Sequence, residues 1–444
     1  MHADPHIVDA IKAELSDRQR WRTRAVVLAF GALSGLGVVV LTWLAEHALS
    51  VFHWGAGRLP WAPLVWTPLC TVAIVWVTRR WAQGAAGSGI PQVMVALQPE
   101  VGPAQRPLFV SMKLTVSKTL LTAWGLLAGL SLGREGPSVQ VGAGIMHAAR
   151  HWLPDRSAVS DHALLVAGGS AGIAAAFNTP LGGIMFAIEE LSRRPEQRNT
   201  GLVMAAIVLA GLMGVSAYGN ANYFGEIRVQ AVEWRLLWPG LVVAVSCGLL
   251  GGLFSRLMTR SLTGETSDCF MRWRLRYPLR FAAGCGLAVA VMGVVSGGAT
   301  FGSGYAHTKA LLDGAGDTSG LYVVLKFMST WITAWSGVPG GIFAPSLAIG
   351  GALGGNVAEW WGGVDMPALI ALGMAGFLAA VTQAPMTAFI IVMEMVAGHS
   401  MVLTLMACAL VASAVSRLVS RPLYACLAQA QMRRLPPTAE KTVA

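Results

Sequence analysis

The sequence predicts an all-α polytopic membrane protein, an antiparallel inverted repeat with broken and re-entrant helices. Three observations carry this. Hydrophobic residues make up 55% of the 444 and charged ones only 12%, whereas about a quarter of a soluble domain is charged; mean hydropathy is +0.58. The chain repeats itself at a period near 200 residues, far too long for a solenoid and suited to a duplicated membrane domain. Finally, glycine and proline interrupt its apolar segments, and non-helical backbone at membrane depth survives only where it is buried in protein or lines a wet cavity.

The repeat runs through several segments in register. Gly133-Arg134-Glu135-Gly136-Pro137-Ser138 returns 208 positions later as Gly341-Ile342-Phe343-Ala344-Pro345-Ser346, and Lys118, fifteen residues before Gly133, returns as Lys326 before Gly341. Gly87-Ser88-Gly89 is matched by Gly302-Ser303-Gly304, Ala171 to Ala176 by Ala375 to Ala380, and Pro180 with Glu189 by Pro385 with Glu394. The expected organisation is a cytoplasmic N-terminal segment (1–24), a first membrane repeat (25–225), a second (226–420), and a C-terminal helix and tail (421–444) with no soluble regulatory domain after it. Sites in duplicated carriers lie at the repeat interface, so an ion site between the halves is expected.

Apolar stretches able to span ~30 Å of hydrocarbon are Ala25 to Leu44, Pro63 to Val77, Leu108 to Leu132, Gly201 to Val215, Leu236 to Leu253, Phe281 to Val295 and Met401 to Val415. Between them lie shorter segments bounded by glycine or proline: 139–147, 163–176, 181–188, 346–357, 369–381 and 386–393. These read as the broken helices.

The net charge of +10 does not read as a nucleic-acid surface, because the arginines collect in short loops. Arg18 to Arg24, Arg193 with Arg194 and Arg198, and Arg256 to Arg280 mark the cytoplasmic side by the positive-inside rule. No apolar core of a cleaved signal stands near the start. Six scattered cysteines and nine histidines show neither disulfide nor metal-ligand spacing, and no cofactor is expected.

The breaks carry the chemistry. Helix N-termini offer unpaired amides and roughly half a positive charge, and Gly87 to Pro91, Gly133 to Pro137 and Gly340 to Pro345 can each open a helix. Converging amides and hydroxyls suit a small anion such as chloride, where a fixed cation would hold it too tightly for turnover. Glu135 stands among them. An ionised carboxylate in apolar surroundings is costly and is usually there for a functional reason. Ionised, Glu135 can occupy a site made for an anion; protonated, it vacates that site. The plainer readings are glycines that merely let helices approach, and a Glu135 paired with Arg134.

The four motifs, Gly87 to Pro91, Gly133 to Pro137, Gly341 to Pro345 and the late Pro422-Leu423-Tyr424, resemble the signatures of the CLC chloride channel and transporter family, in the family's order and across nearly the whole chain. The resemblance implies a homodimer with one anion pathway per subunit, in a bacterial inner membrane. It also implies that the hydroxyls of Ser88 and Tyr424 with the amides of Ile342 and Phe343 hold chloride, that Glu135 is the external gate supported by Gly133, Arg134 and Gly136, and that Glu190 is the internal proton-transfer carboxylate. Glu190 ends an apolar run beside Arg193 and Arg194, which places it independently on the cytoplasmic side. Beside it, Glu189 reads either as a solvated helix end or as part of this site, and Glu394 as a buried structural carboxylate. Lys118 is too deep to snorkel and faces protein, either as electrostatic support or bound to a carboxylate or backbone. His147 and His399 read as interfacial.

One departure stands out: after Gly-Ser-Gly-Ile-Pro, where some exchangers of the family carry acidic residues, this chain has Gln92 and Met94. Coupled chloride/proton exchange is the leading expectation and a passive chloride channel the first rival. A membrane enzyme using Glu135 as an acid would need a partner base or metal, and a cation carrier would need acidic pairs or carbonyl cages; neither pattern is visible.

Overall fold

The computed structural model describes residues 17–154, 157–192, 200–219, 222–226, 234–264, 268–316 and 318–435. Arg193, Arg194 and Arg198 lie outside them, as do residues 1–16 and 436–444 of the two terminal segments. Among the described residues the chain is helices joined by short turns, with one isolated antiparallel bridge between Gly133 and Gly341. A bilayer imposes this, since every backbone donor and acceptor in hydrocarbon must be satisfied within the protein.

The first half contains α1 (Arg18–Arg58), α2 (Pro63–Trp81), α3 (Ile90–Ala96), α4 (Met112–Leu127), α5 (Glu135–Ala148), α6 (Asp161–Phe177), α7 (Pro180–Phe186) and α8 (Thr200–Tyr218). The second contains α9 (Leu237–Thr263), α10 (Cys269–Arg276), α11 (Pro278–Val295), α12 (Tyr305–Leu312), α13 (Gly320–Ser336), α14 (Phe343–Trp361), α15 (Met366–Thr382), α16 (Pro385–Met395) and α17 (Val402–Val419). Helix α18 (Leu423–Met432) follows. Among the described residues, five segments are long and apolar enough to cross a membrane: Arg18–Arg58, Thr200–Tyr218, Trp234–Thr263, Pro278–Val295 and His399–Val419.

Two expected spans have different limits. The first runs well past Ala25 to Leu44 at both ends: Asp17 caps it by accepting from the Gln19 and Arg20 amides, and it reaches Arg58. At ~1.5 Å per residue it is about 60 Å long, roughly twice the hydrocarbon thickness. The expected span Leu108 to Leu132 is only the sixteen-residue α4, because Ser111 caps its start and the chain turns at Gly129, φ 75°. Helix α13 matches none of the expected segments. It buries Lys326, Ser329, Thr330, Thr333 and Ser336, polar residues that interrupt the apolar run while facing protein.

The repeat is visible in the backbone. Gly87 and Gly302 share positive φ (73° and 66°), as do Gly89 and Gly304 (110° and 88°) and the helix-ending Asn178 and Gln383 (57° and 58°). Lys118 Nζ donates to the carbonyls of Ala85 and Gly87, and its mate Lys326 Nζ to those of Thr300 and Gly302. Helices α5 and α6 cross so closely that a Cβ on Gly142 would lie 2.2 Å from the Gly168 carbonyl oxygen; α14 and α15 cross in the same way at Gly350 and Gly373. The halves meet antiparallel. Gly133 donates to Gly341 at 2.8 Å and Gly341 to Gly133 at 2.7 Å, so α5 and α14 start side by side at the centre of the molecule.

Candidate functional site

Three chain breaks converge beside the Gly133–Gly341 bridge. The loop before α3 is held from several directions. Gln92 Oε1 accepts from the Gly89 amide (3.0 Å) while its Nε2 donates to the Ala86 carbonyl, Lys118 binds the Ala85 and Gly87 carbonyls (2.9 and 2.5 Å), and the Gly340 amide donates to the Gly87 carbonyl (3.0 Å). This network fixes Ser88, whose buried hydroxyl faces that of Tyr424. Gly136 makes room for it: a Cβ there would lie 2.3 Å from Ser88 Oγ.

Glu135 is the first residue of α5 and fully buried. One carboxylate oxygen accepts from the Ala344 amide at 3.4 Å; the other has no partner. Its position against the first turn of α14 is favourable for a negative charge, because that turn carries unpaired amides and the positive end of the helix dipole. Gly133 leaves the space, since a Cβ on it would lie 2.3 Å from Glu135 Oε2. The simple Arg134–Glu135 pair is not what forms. Arg134 turns away, donating to Glu46 at 2.7 Å and to the Tyr223 hydroxyl at 3.3 Å.

No side chain caps α14, whose start at Ile342 and Phe343 faces the same centre. Tyr424, brought back by α18, is buried with its hydroxyl turned towards that of Ser88 and its ring 5.9 Å from that of Phe343. Two cavities approach this point. One, of about 150 Å³, is lined by Ser88, Ile342 and Tyr424 together with Arg274 and Arg434. The other, of about 510 Å³, is lined by Glu135, Arg134, Glu46 and Tyr223 together with His53 and His307. Between them stand the Ser88 and Tyr424 hydroxyls, the first-turn amides of α14 and the buried Glu135 carboxylate. Such a centre can hold a small anion with neutral donors, Lys118 being committed to backbone carbonyls and Arg134 to Glu46 and Tyr223.

The sequence model of the voltage gated chloride channel family matches residues 70–417. The chain belongs to this family. Among its relatives, the H(+)/Cl(-) exchange transporter ClcA of Klebsiella pneumoniae (strain 342) is 31% identical over 93% of this chain and 90% of its own, and that of Citrobacter koseri 29% identical over 91% and 89%. Similar solved structures include a slow cyanobacterial Cl-/H+ antiporter (TM-score 0.78, 23% identity, covering 93% and 98% of the two chains) and a CLC-type fluoride/proton antiporter (TM-score 0.75, 22% identity, 91% and 96%). These relatives are named as ion transporters and not as enzymes.

In this voltage gated chloride channel family member Glu190 lies apart from both cavities. It is 6% exposed and sits in a π-helical turn, Ala187–Ser192; both it and Glu135 lie within electrostatic reach of the Tyr424 hydroxyl. Glu189 is not a solvated helix end: it accepts from the Met386 and Thr387 amides of the other half. Glu394 is half-buried and structural, accepting from Leu181 and Gly182. Lys118 bonds to backbone carbonyls and not to a carboxylate. Gln92, which stood out as a departure from the family pattern, shapes the Ser88 loop.

Sequence reading missed Glu46, Tyr223 and Gln140. Gln140 Nε2 donates to the Gly84 and Phe109 carbonyls, and Glu46 anchors Arg134. A signal existed for both, since Glu46 is the one carboxylate within α1 and Gln140 the one amide within α5, and such groups in apolar helices face protein or water. Tyr223 had none.

Proposed function

We propose that the protein moves chloride across a bacterial inner membrane by coupled exchange for protons. The observation that carries this is the pair of buried, facing hydroxyls of Ser88 and Tyr424 at the end of one cavity, set opposite a fully buried Glu135 that ends the other. In this reading the two hydroxyls and the Ile342 and Phe343 amides bind chloride. Glu135 is the outer gate, competing with chloride when ionised and leaving when protonated; Gly133 and Gly136 give it and Ser88 room, Arg134 braces the outer cavity, and Lys118 holds the Ser88 loop. Glu190 passes protons from the cytoplasm. The names of the relatives support exchange.

The Arg274-lined cavity then faces the cytoplasm, because the segment Arg256 to Arg280 is rich in arginine, and both termini lie on that side. Subunits pair as a homodimer with separate pathways within the lipid. No nucleic acid and no cofactor takes part. Proteoliposome flux tests the reading: a chloride gradient should drive protons uphill. Chloride movement without proton movement would replace the exchanger with a passive, gated channel on the same fold.

A further inference from the structure

Glu189 and Glu394 occupy equivalent places in the two halves, and each reaches across into the other. Glu189 accepts from Met386 at 3.2 Å and Thr387 at 2.7 Å, in the first turn of α16. Glu394 accepts from Leu181 at 3.2 Å and Gly182 at 2.7 Å, in the first turn of α7. First-turn amides lack intrahelical acceptors and carry the positive end of the dipole, so each carboxylate is a well-placed staple.

The symmetry stops at the residue that follows. After Glu394 the helix α16 ends on buried, apolar Met395. After Phe186, by contrast, α7 widens into the π turn Ala187–Ser192, and Glu190 follows Glu189 within it. Such turns are rare and concentrate at functional sites. Neighbouring residues on a helical turn project roughly a quarter turn apart. Tying Glu189 to α16 therefore decides where Glu190 points, and Glu190 is buried.

We propose that Glu189 is the positioning residue for Glu190: clamped on the Met386 and Thr387 amides of the opposite half, it holds the π turn in the register that directs Glu190 inward. This rests on the reading of Glu190 as the inner proton carrier. It also ties the proton route to the relative position of the two halves, since the clamp spans them.

The pseudosymmetric mate supplies the control, because Glu394 makes the same staple without a proton-carrying neighbour. Full-length wild type, Glu189→Gln, Glu189→Asp and Glu394→Gln are reconstituted in liposomes, and chloride flux and chloride-driven proton flux are measured together. Glutamine puts an N–H against an N–H donor; aspartate keeps the charge but is one methylene too short. Both Glu189 variants should keep chloride flux and lose roughly tenfold in proton flux, as small displacements of a reacting group do, while Glu394→Gln keeps the wild-type ratio of protons to chloride. An unchanged ratio in Glu189→Gln overturns the proposal, as does an equal loss in Glu394→Gln, which would leave two plain staples. A normal ratio in Glu189→Asp overturns it too, since charge and not reach would then matter. Should Glu189→Gln carry no chloride at all, the aspartate variant decides. A wild type that moves no protons is a different failure, seen before any variant, and removes the exchange reading itself.

Discussion

Helix α5 begins with Glu135 and α14 begins with Phe343, at equivalent positions of the repeat. The surrounding backbone is nearly the same in both halves, down to the Gly133–Gly341 bridge, the lysines on their carbonyl pairs and the glycine crossings. One half thus places a titratable carboxylate at the shared centre, and the other an apolar ring and free amides. The difference teaches where to look for function in a duplicated membrane protein. Matched positions build the frame, and the chemistry sits at positions whose mates differ.

The sharpest break of that comparison is Glu135→Gln. Glutamine resembles the protonated gate, so chloride movement should persist while proton movement and its dependence on external pH vanish. Phe343→Leu, at the mate, should leave proton coupling in place because it removes no titratable group. Flux assays on both variants check this, and a coupled Glu135→Gln protein would show that the carboxylate at the centre is not the gate. Glu190→Gln separates the ends of the route: chloride flux should still respond to external pH, yet no protons should be pumped.

Next in size are the matched lysines. Lys326→Met leaves the Thr300 and Gly302 carbonyls without a donor, whereas Lys118→Met leaves that of Ala85, because the Gly340 amide still donates to Gly87. At about 1–3 kcal/mol per unsatisfied group, Lys326→Met should destabilise by about 2–6 kcal/mol and Lys118→Met by about 1–3 kcal/mol. Thermal unfolding in detergent measures this. A larger loss for Lys326→Met would confirm that the Gly340 amide shares the Gly87 carbonyl with Lys118; a loss of chloride affinity confined to Lys118→Met would show that its loop, bearing Ser88, serves the site as well.

The anion donors come third. Removing both hydroxyls in the Ser88→Ala, Tyr424→Phe double variant should weaken chloride binding by about 1.5–3 kcal/mol per donor before compensation. Calorimetric titration reads it, and unchanged affinity would count against these donors. Ser303, the mate of Ser88, donates no such bond in this reading, so Ser303→Ala should bind chloride as wild type does.

The same distinction explains what could be read from the sequence. The frame was legible because its signals are local or repeated: glycine and proline at breaks, apolar runs, and motifs returning in register. The centre was legible because three such motifs flank it. Limits of helices were less so, as α1 extends through polar ends that a hydrophobic window discards, and α13 hides behind inward-facing Lys326 and threonines. Contacts between distant segments carried no local signal. Nothing in Arg134-Glu135 says that the arginine bonds to Glu46, 88 positions away, and nothing around Glu189 says that its acceptor role is met 197 positions on. Gln92 looked like a loss relative to acidic relatives, yet its two hydrogen bonds close the Ser88 loop, a role visible only once Ala86 and Gly89 are placed.

The smallest effect belongs to a contact that one half has and the other lacks. Arg134 is matched by Ile342, so the Arg134–Glu46 bond has no counterpart across the repeat, and it stands at the wall of the larger cavity. Glu46 is more than half exposed, with 58% of its side chain accessible, and exposed ion pairs contribute about 0–1 kcal/mol. Glu46→Gln keeps a hydrogen-bond acceptor for the guanidinium, so its cost in stability should fall at the low end of that range. Its effect on transport should appear instead as charge. With one negative charge removed from the cavity wall and Arg134 retained, chloride arriving from this side meets a more favourable potential, and flux from this side should rise modestly at low ionic strength and converge with wild type as salt screens the cavity. Flux measured at two ionic strengths decides it. A salt-independent change would mean that Glu46 acts by holding Arg134 in place, and that the unmatched pair belongs with the frame after all.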